Sequence, residues 1–201
     1  MENPFWEKTY SDLSVATFGK NPANDIVRIS SSLKKGMTVL DIGCGEGRNS
    51  IYLAGLGHKV DAFDISEAGI NKLKRIAEGN KVEVNAWVQD LTTFKFSRTY
   101  DLIISHGVFH LVEKHDWQRI IIDMKDNTNH GGLNIVGIFT NKLPATPDNA
   151  PFTKALFEEG ELKELYADWN IIEFNAYVFE DEHPGGIRHN HAANNIIAMK
   201  R

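Results

Sequence analysis

Cysteine is nearly absent from this chain: one residue, Cys44, in 201. A lone thiol excludes an intrachain disulfide framework, and a reducing compartment is the simplest setting for it. Long apolar runs are missing too. None approaches the ~18 residues that a membrane-spanning helix needs. The first residues, "MENPFWEKTY", lack the basic stretch and apolar core of a signal peptide. These absences predict a cytoplasmic protein with no membrane partner. Runs rich in Lys and Arg are also absent and the formal net charge is −5, which argues against nucleic acid as a partner. No internal repeat or low-complexity segment occurs. Hydrophobic residues make up 42% of the chain, enough for the core of one domain of this length, as a monomer or small homo-oligomer.

The apolar pattern divides the chain in three. Residues 1–35 read as a polar, helical region carrying the aromatics Phe5, Trp6, Tyr10 and Phe18. Residues 36–140 alternate strand and helix. "MTVLDI", "KVDAFDI", "VEVNAWVQD", "YDLIIS" and "LNIVGIFT" read as strands. "GRNSIYLAGLG", "SEAGINKLKRIAEGN" and "HDWQRIIIDMKDNT" read as helices, the second capped by Ser66 and the third closed by a turn at "NHGG". Such alternation predicts a mostly parallel sheet with helices on both faces. In residues 141–201 a proline-rich loop and a short helix, "EEGELKELYADW", precede two strands joined through "EDEHPGGIRH". The expectation is an α/β fold of seven strands closed by an antiparallel C-terminal hairpin, all in one domain.

The most specific stretch is "VLDIGCGEGRNS". A strand, a glycine-rich turn and a helix make a nucleotide-type binding corner, where glycines permit a sharp turn and close approach of a ligand. Asp64 ends the second strand, where an acid accepts hydrogen bonds from ribose hydroxyls. The spacing is G-x-G-x-G, not the dinucleotide G-x-G-x-x-G, and Glu46 inside the loop sits badly beside a pyrophosphate. A ligand without phosphate that carries a cation fits better, and S-adenosyl-L-methionine is such a ligand. Asp41 then holds its amino end, Asp64 the ribose, and Asp90 the adenine amino group with Leu91 beside the ring. Cys44 reads as a small packed residue.

Together "VLDIGCGEG", "DAFDIS", "VQDL" and "YDLIIS" resemble the class I S-adenosylmethionine-dependent methyltransferases, over about residues 35–140. "GCGEGRNSIYLAGLGHKVDAFD" and "FEEGELKELYADWNI" narrow the resemblance to the tellurite-resistance (TehB-type) methyltransferases. That resemblance implies a Rossmann-like fold, S-adenosyl-L-methionine as methyl donor and S-adenosyl-L-homocysteine as product. It implies a small-molecule acceptor, a tellurium or selenium oxyanion or a thiol. Carried over by position, it puts cofactor contacts at Asp41, Gly43, Gly45, Arg48, Asn49, Asp64, Ile65, Asp90, Leu91, and Ser105 and His106 of the "SHG" turn. Histidine and arginine near the C-terminus face the acceptor in the family, which here points to His183 and Arg188.

Location in the sequence adds His106 and His110 after the fourth strand, and His189 and His191 on the hairpin, as groups to hold or deprotonate an acceptor. An anionic acceptor calls for cationic holders, and arginine suits an oxyanion. Trp6 and Tyr10 are candidates to cover the cofactor. His189 and His191 are two apart and share a strand face, and with His183 they form a three-nitrogen metal alternative; no metal ligand is assigned. Two other functions stay open: a catalytically silent S-adenosylmethionine-binding protein, and a nicotinamide-dependent oxidoreductase.

Overall fold

Val39, Leu40 and Ile42 have no exposed surface, which marks a strand covered on both faces. In the computed structural model, which describes residues 4–147, 149–182 and 188–201, this strand is β1 (Thr38–Ile42), near the middle of the sheet. The others are β2 (Lys59–Asp64), β3 (Val84–Val88), β4 (Tyr100–His106), β5 (Thr128–Phe139), β6 (Asn170–Asp181) and β7 (His189–Met199). The seven strands run in the order β3-β2-β1-β4-β5-β7-β6. β1 through β5 pair in parallel, and β7 pairs antiparallel with both β5 and β6. The expected architecture is therefore present, hairpin included.

Alternation along the strands assigns helices to faces. Leu40, Ile42, Ile103, Val136 and Ile138 point to one face and pack under α5 (Lys114–Asp126), through Trp117, Ile120, Ile121 and Met124. The short α6 (Glu161–Leu165) adds Leu162 to the same core. Val39, Leu102, Ile104 and Ile135 point the other way, against Ile26 of α2 (Asn24–Ser30) and Leu53 of α3 (Arg48–Gly55). Ala62 and Ala86 meet Ile70, Leu73 and Ala77 of α4 (Glu67–Gly79). Ser66 caps α4 as its sequence suggests, its hydroxyl accepting from the Gly69 amide at 3.0 Å.

The N-terminal region departs from expectation. Among the described residues, only α1 (Phe5–Tyr10) and α2 are helical before β1. The stretch between them carries Gly19, with φ +81°, and Pro22, both of which interrupt a helix. "NHGG" closes no helix either: it lies inside β5, where the register with β4 shifts between Tyr100 and Leu102.

Successive βα connections leave β1 toward β2 on one side and β4 on the other. The chain order therefore reverses between β1 and β4, and a crevice opens beyond their carboxyl ends.

Candidate functional site

That crevice measures about 1550 Å³, more than the ~300–1,000 Å³ typical of a single small-ligand pocket. It has room for two ligands side by side. One end is built by the loop between β1 and α3. Gly43 has φ +70° and Gly47 φ +85°. A Cβ on Gly43 would lie 2.7 Å from Val108, and one on Gly47 2.3 Å from Leu73. The glycines are thus demanded by the protein's own packing as well as by close approach of a ligand.

Three strand-end acids open on this end. Asp41, at 2% exposure, is pushed up to about 6 by burial, although it accepts a short hydrogen bond from Ser50. Asp64 accepts from the amides of Gly45 at 2.8 Å and Ser66 at 2.9 Å, which ties the glycine loop to the end of β2. Burial raises Asp64 as well. Asp90 accepts from the amide and hydroxyl of Thr92 through one oxygen. Next to Asp64, Ile65 is 65% exposed, an apolar side chain standing in the crevice. Leu91 lines the wall beside Asp90, and Arg48 donates to the Phe18 carbonyl at 2.9 Å. Asn49 faces the crevice while accepting from the Ala23 amide at 2.9 Å. Trp6 and Tyr10 of α1 form the outer wall, Trp6 edge-on to Phe152 at 5.4 Å.

Glu46 corrects an expectation. Its side chain is buried, pairs with Lys72 Nζ at 2.7 Å and accepts from the Thr17 amide at 2.7 Å. The charge is neutralised beneath the loop, so Glu46 does not by itself argue against a pyrophosphate. Cys44 is a free thiol pushed well up by burial, in keeping with a packed residue.

The other end of the crevice gathers His106, Asp25, Asn195, Phe139, Tyr177 and Phe179. His106 Nε2 lies 3.0 and 3.2 Å from the two Asp25 oxygens. Asp25 also accepts from Asn195 Nδ2 at 3.0 Å and from the Ile26 amide at 2.8 Å. Burial pushes Asp25 up, but His106 and these donors outweigh it and hold the carboxyl below its usual value. Nε2 faces the Asp25 carboxylate, and Nδ1 of His106 is buried with no hydrogen-bond partner. Nothing in the sequence pattern linked Asp25, early in the chain, to this histidine; it was missed for that reason.

Other predicted residues are placed differently. Ser105 alternates away from His106, is buried, and donates to the Ile42 carbonyl at 3.1 Å; it is no part of the crevice wall. His110 is in the wall, but burial and the neighbouring His191 push it down to about 3, so it is a neutral imidazole and a weak base. Arg188 is exposed and turned to Glu180 and Glu182, outside the crevice, so the expectation that it faces an acceptor is not met. His183 lies outside the described residues. His189 and His191 stand together on β7, their Nε2 atoms 3.0 Å apart.

Comparison with known proteins agrees with this fold. The sequence profile of the family described as tellurite resistance protein TehB matches residues 6–200. The chain is 34% identical over 176 residues to a Haemophilus influenzae protein named "Probable S-adenosyl-L-methionine-dependent methyltransferase TehB", covering 88% of this chain and 57% of that one. The crystal structure of TehB from Haemophilus influenzae superposes with a TM-score of 0.80 at 29% identity, over 98% of this chain and 66% of that one. The chain thus spans about three-fifths of the length of the relatives it matches. A magnesium protoporphyrin IX methyltransferase from Synechocystis with bound S-adenosylhomocysteine shares the fold, with a TM-score of 0.67 at 17% identity. With nearly its whole length matched by the family profile, the chain belongs to the tellurite resistance protein TehB family.

Proposed function

We propose that this chain is a methyltransferase that binds S-adenosyl-L-methionine at the glycine-loop end of the crevice and a small acceptor at the His106 end. The observation that carries this reading is the convergence of Asp41, Asp64 and Asp90 on one crevice that also holds the Asp25–His106 pair. The acids suit the cofactor's three polar parts. Asp41 faces the amino cation, Asp64 keeps lone pairs for the ribose hydroxyls, and Asp90 takes the adenine amino group. Ile65 and Leu91 supply apolar surface for the ring. When bound, the cofactor supplies an electrophilic methyl group on a sulfonium, and its loss leaves S-adenosyl-L-homocysteine.

The chain's own part is positioning and proton handling. Asp25 orients the His106 imidazole in the wall of this end, where the ring takes the acceptor's proton as the acceptor's lone pair attacks the methyl carbon. Phe139, Tyr177, Phe179 and Phe152 give this end aromatic walls that exclude water. A thiol, which carries a proton to remove, suits such a base. A chalcogen oxyanion is the second reading, favoured by the family's description and by Lys154 and Arg48 in the crevice wall.

The test is release of S-adenosylhomocysteine with thiols, selenite and tellurite as acceptors, run on wild type and His106→Asn. Loss of a positioned base lowers kcat by about 10²–10⁴-fold with a thiol, while calorimetry gives an unchanged S-adenosylhomocysteine affinity. Cofactor binding without turnover on any acceptor would instead favour a silent binding protein.

A further inference from the structure

The outer end of the hairpin holds a second cluster, independent of the methyl-transfer reading. Asp181 on β6 stands directly opposite His189 on β7, and Phe179 opposite His191. Side chains two apart share a sheet face, so Asp181, His189 and His191 lie on the face whose Tyr177, Phe179 and Asn195 line the crevice. One ligand-type atom from each of the three lies within 4.8 Å of the other two. The two imidazole Nε2 atoms are 3.0 Å apart. Two nitrogens bound to one tetrahedral zinc ion at about 2.0–2.1 Å each stand about 3.3 Å apart. The histidines are therefore already near a shared coordination distance. His191 is held there by stacking on Phe139, with ring centroids 4.3 Å apart and planes within 7°. Asp181 is only partly buried, so rotation about its side-chain bonds can bring its oxygen to the same point.

We propose that Asp181, His189 and His191 form a binding site for one divalent first-row transition-metal cation beside the crevice, at the outer end of the hairpin. Two imidazoles and a carboxylate are a donor set that suits zinc, iron(II) and cobalt(II). Three protein ligands leave coordination positions for water or an anionic acceptor. Strand alternation supplies the cross-strand donors, and Asp181 takes the third place that the sequence alone offered to His183.

The experiment uses the full chain, stripped with chelator, and zinc and cobalt(II) as probes. Calorimetry with zinc is expected to give one ion per chain with a micromolar or tighter Kd. Cobalt(II) is expected to give visible absorption bands of a low-coordinate site. Losing even an outer hydrogen-bond partner of a metal ligand costs about 10–100-fold in affinity. His189→Ala and Asp181→Asn should each weaken zinc binding by at least that much. S-adenosylhomocysteine affinity, measured on the same preparations, reports that both variants are folded and keeps this test separate from the methyl-transfer assay. No saturable binding to wild type, or binding unchanged in the two folded variants, overturns the site.

Discussion

Lys72 offers a direct test of what holds the glycine loop. It sits on α4, only 2% exposed, and its ammonium donates to the carbonyls of Thr9 at 3.0 Å, Asp12 at 2.7 Å and Val15 at 2.6 Å while pairing with Glu46 at 2.7 Å. A single cation thus joins the N-terminal segment, the glycine loop and α4. Lys72→Met keeps much of the side-chain volume but leaves Glu46 buried without its counter-ion. Breaking a buried pair in this one-sided way costs about 3–5 kcal/mol, a large part of the ~5–15 kcal/mol that stabilises a typical protein. For a chain of this size that lowers Tm by about 6–20 °C. The three carbonyls can recover water only if residues 9–15 lift away. The global loss is therefore capped by the docking energy of that segment, and limited proteolysis should cut it first. Tyr10 would leave Gly45 at the same time, weakening S-adenosylhomocysteine binding. Adding Glu46→Gln removes the stranded charge, so the double variant should regain part of the loss. Denaturant unfolding of the two single variants and the double completes the cycle. A loss under ~1 kcal/mol for Lys72→Met, with the segment still protease-resistant, would refute the reasoning.

Two further outcomes are expected. Asp41, raised to about 6 in the folded chain against about 3.9 unfolded, retains a proton between those values that the unfolded chain lacks; stability therefore falls as pH rises from about 4 to about 6, by about 3 kcal/mol, and is flat above. With the cofactor's amino cation placed on Asp41 as proposed, S-adenosylhomocysteine affinity should rise with pH through about 6, and calorimetry on Asp41→Asn should show neither dependence. Gly47→Ala meets a left-handed φ of +85° and a Leu73 contact at 2.3 Å, together about 2–5 kcal/mol; thermal unfolding should show that Leu73→Ala and Gly47→Ala combine to less than their sum.

The β/α core was legible because its signals are local. Ser66 ahead of an amphipathic run, apolar stretches ending at Asp41 and Asp64, and Gly57 past α3 each act through neighbours in the chain. The glycine-loop end of the crevice inherits that legibility, since each acid stands at or just past its strand's end. The N-terminal region has no comparable local signal. Its course between α1 and α2 is dictated by Lys72 and Glu46, which lie far along the chain, and polar spacing alone suggested more helix than forms. Strand parity also decided cases that residue type could not. Ser105 and His106 are adjacent, yet alternation buries one against Ile42 and gives the other to the crevice.

The His106 end of the crevice was hidden because it is assembled from widely separated places. Asp25 comes from α2, His106 from the end of β4, Phe139 from the end of β5, and Asn195 from β7. Only the sheet order brings them together: β5 lies between β4 and β7, with Gly137 directly opposite both His106 and Asn195. A Cβ on Gly137 would stand 2.9 Å from the His106 ring and 3.0 Å from Asn195 Oδ1. The missing side chain of Gly137 thus makes room for both groups to reach Asp25 across the strand between them. A glycine inside a β5 run of otherwise large apolar residues weakens the strand on its own terms. Its place between His106 and Asn195 gives it a reason: β5 gives up a side chain so that His106, Asn195 and Asp25 can meet across it.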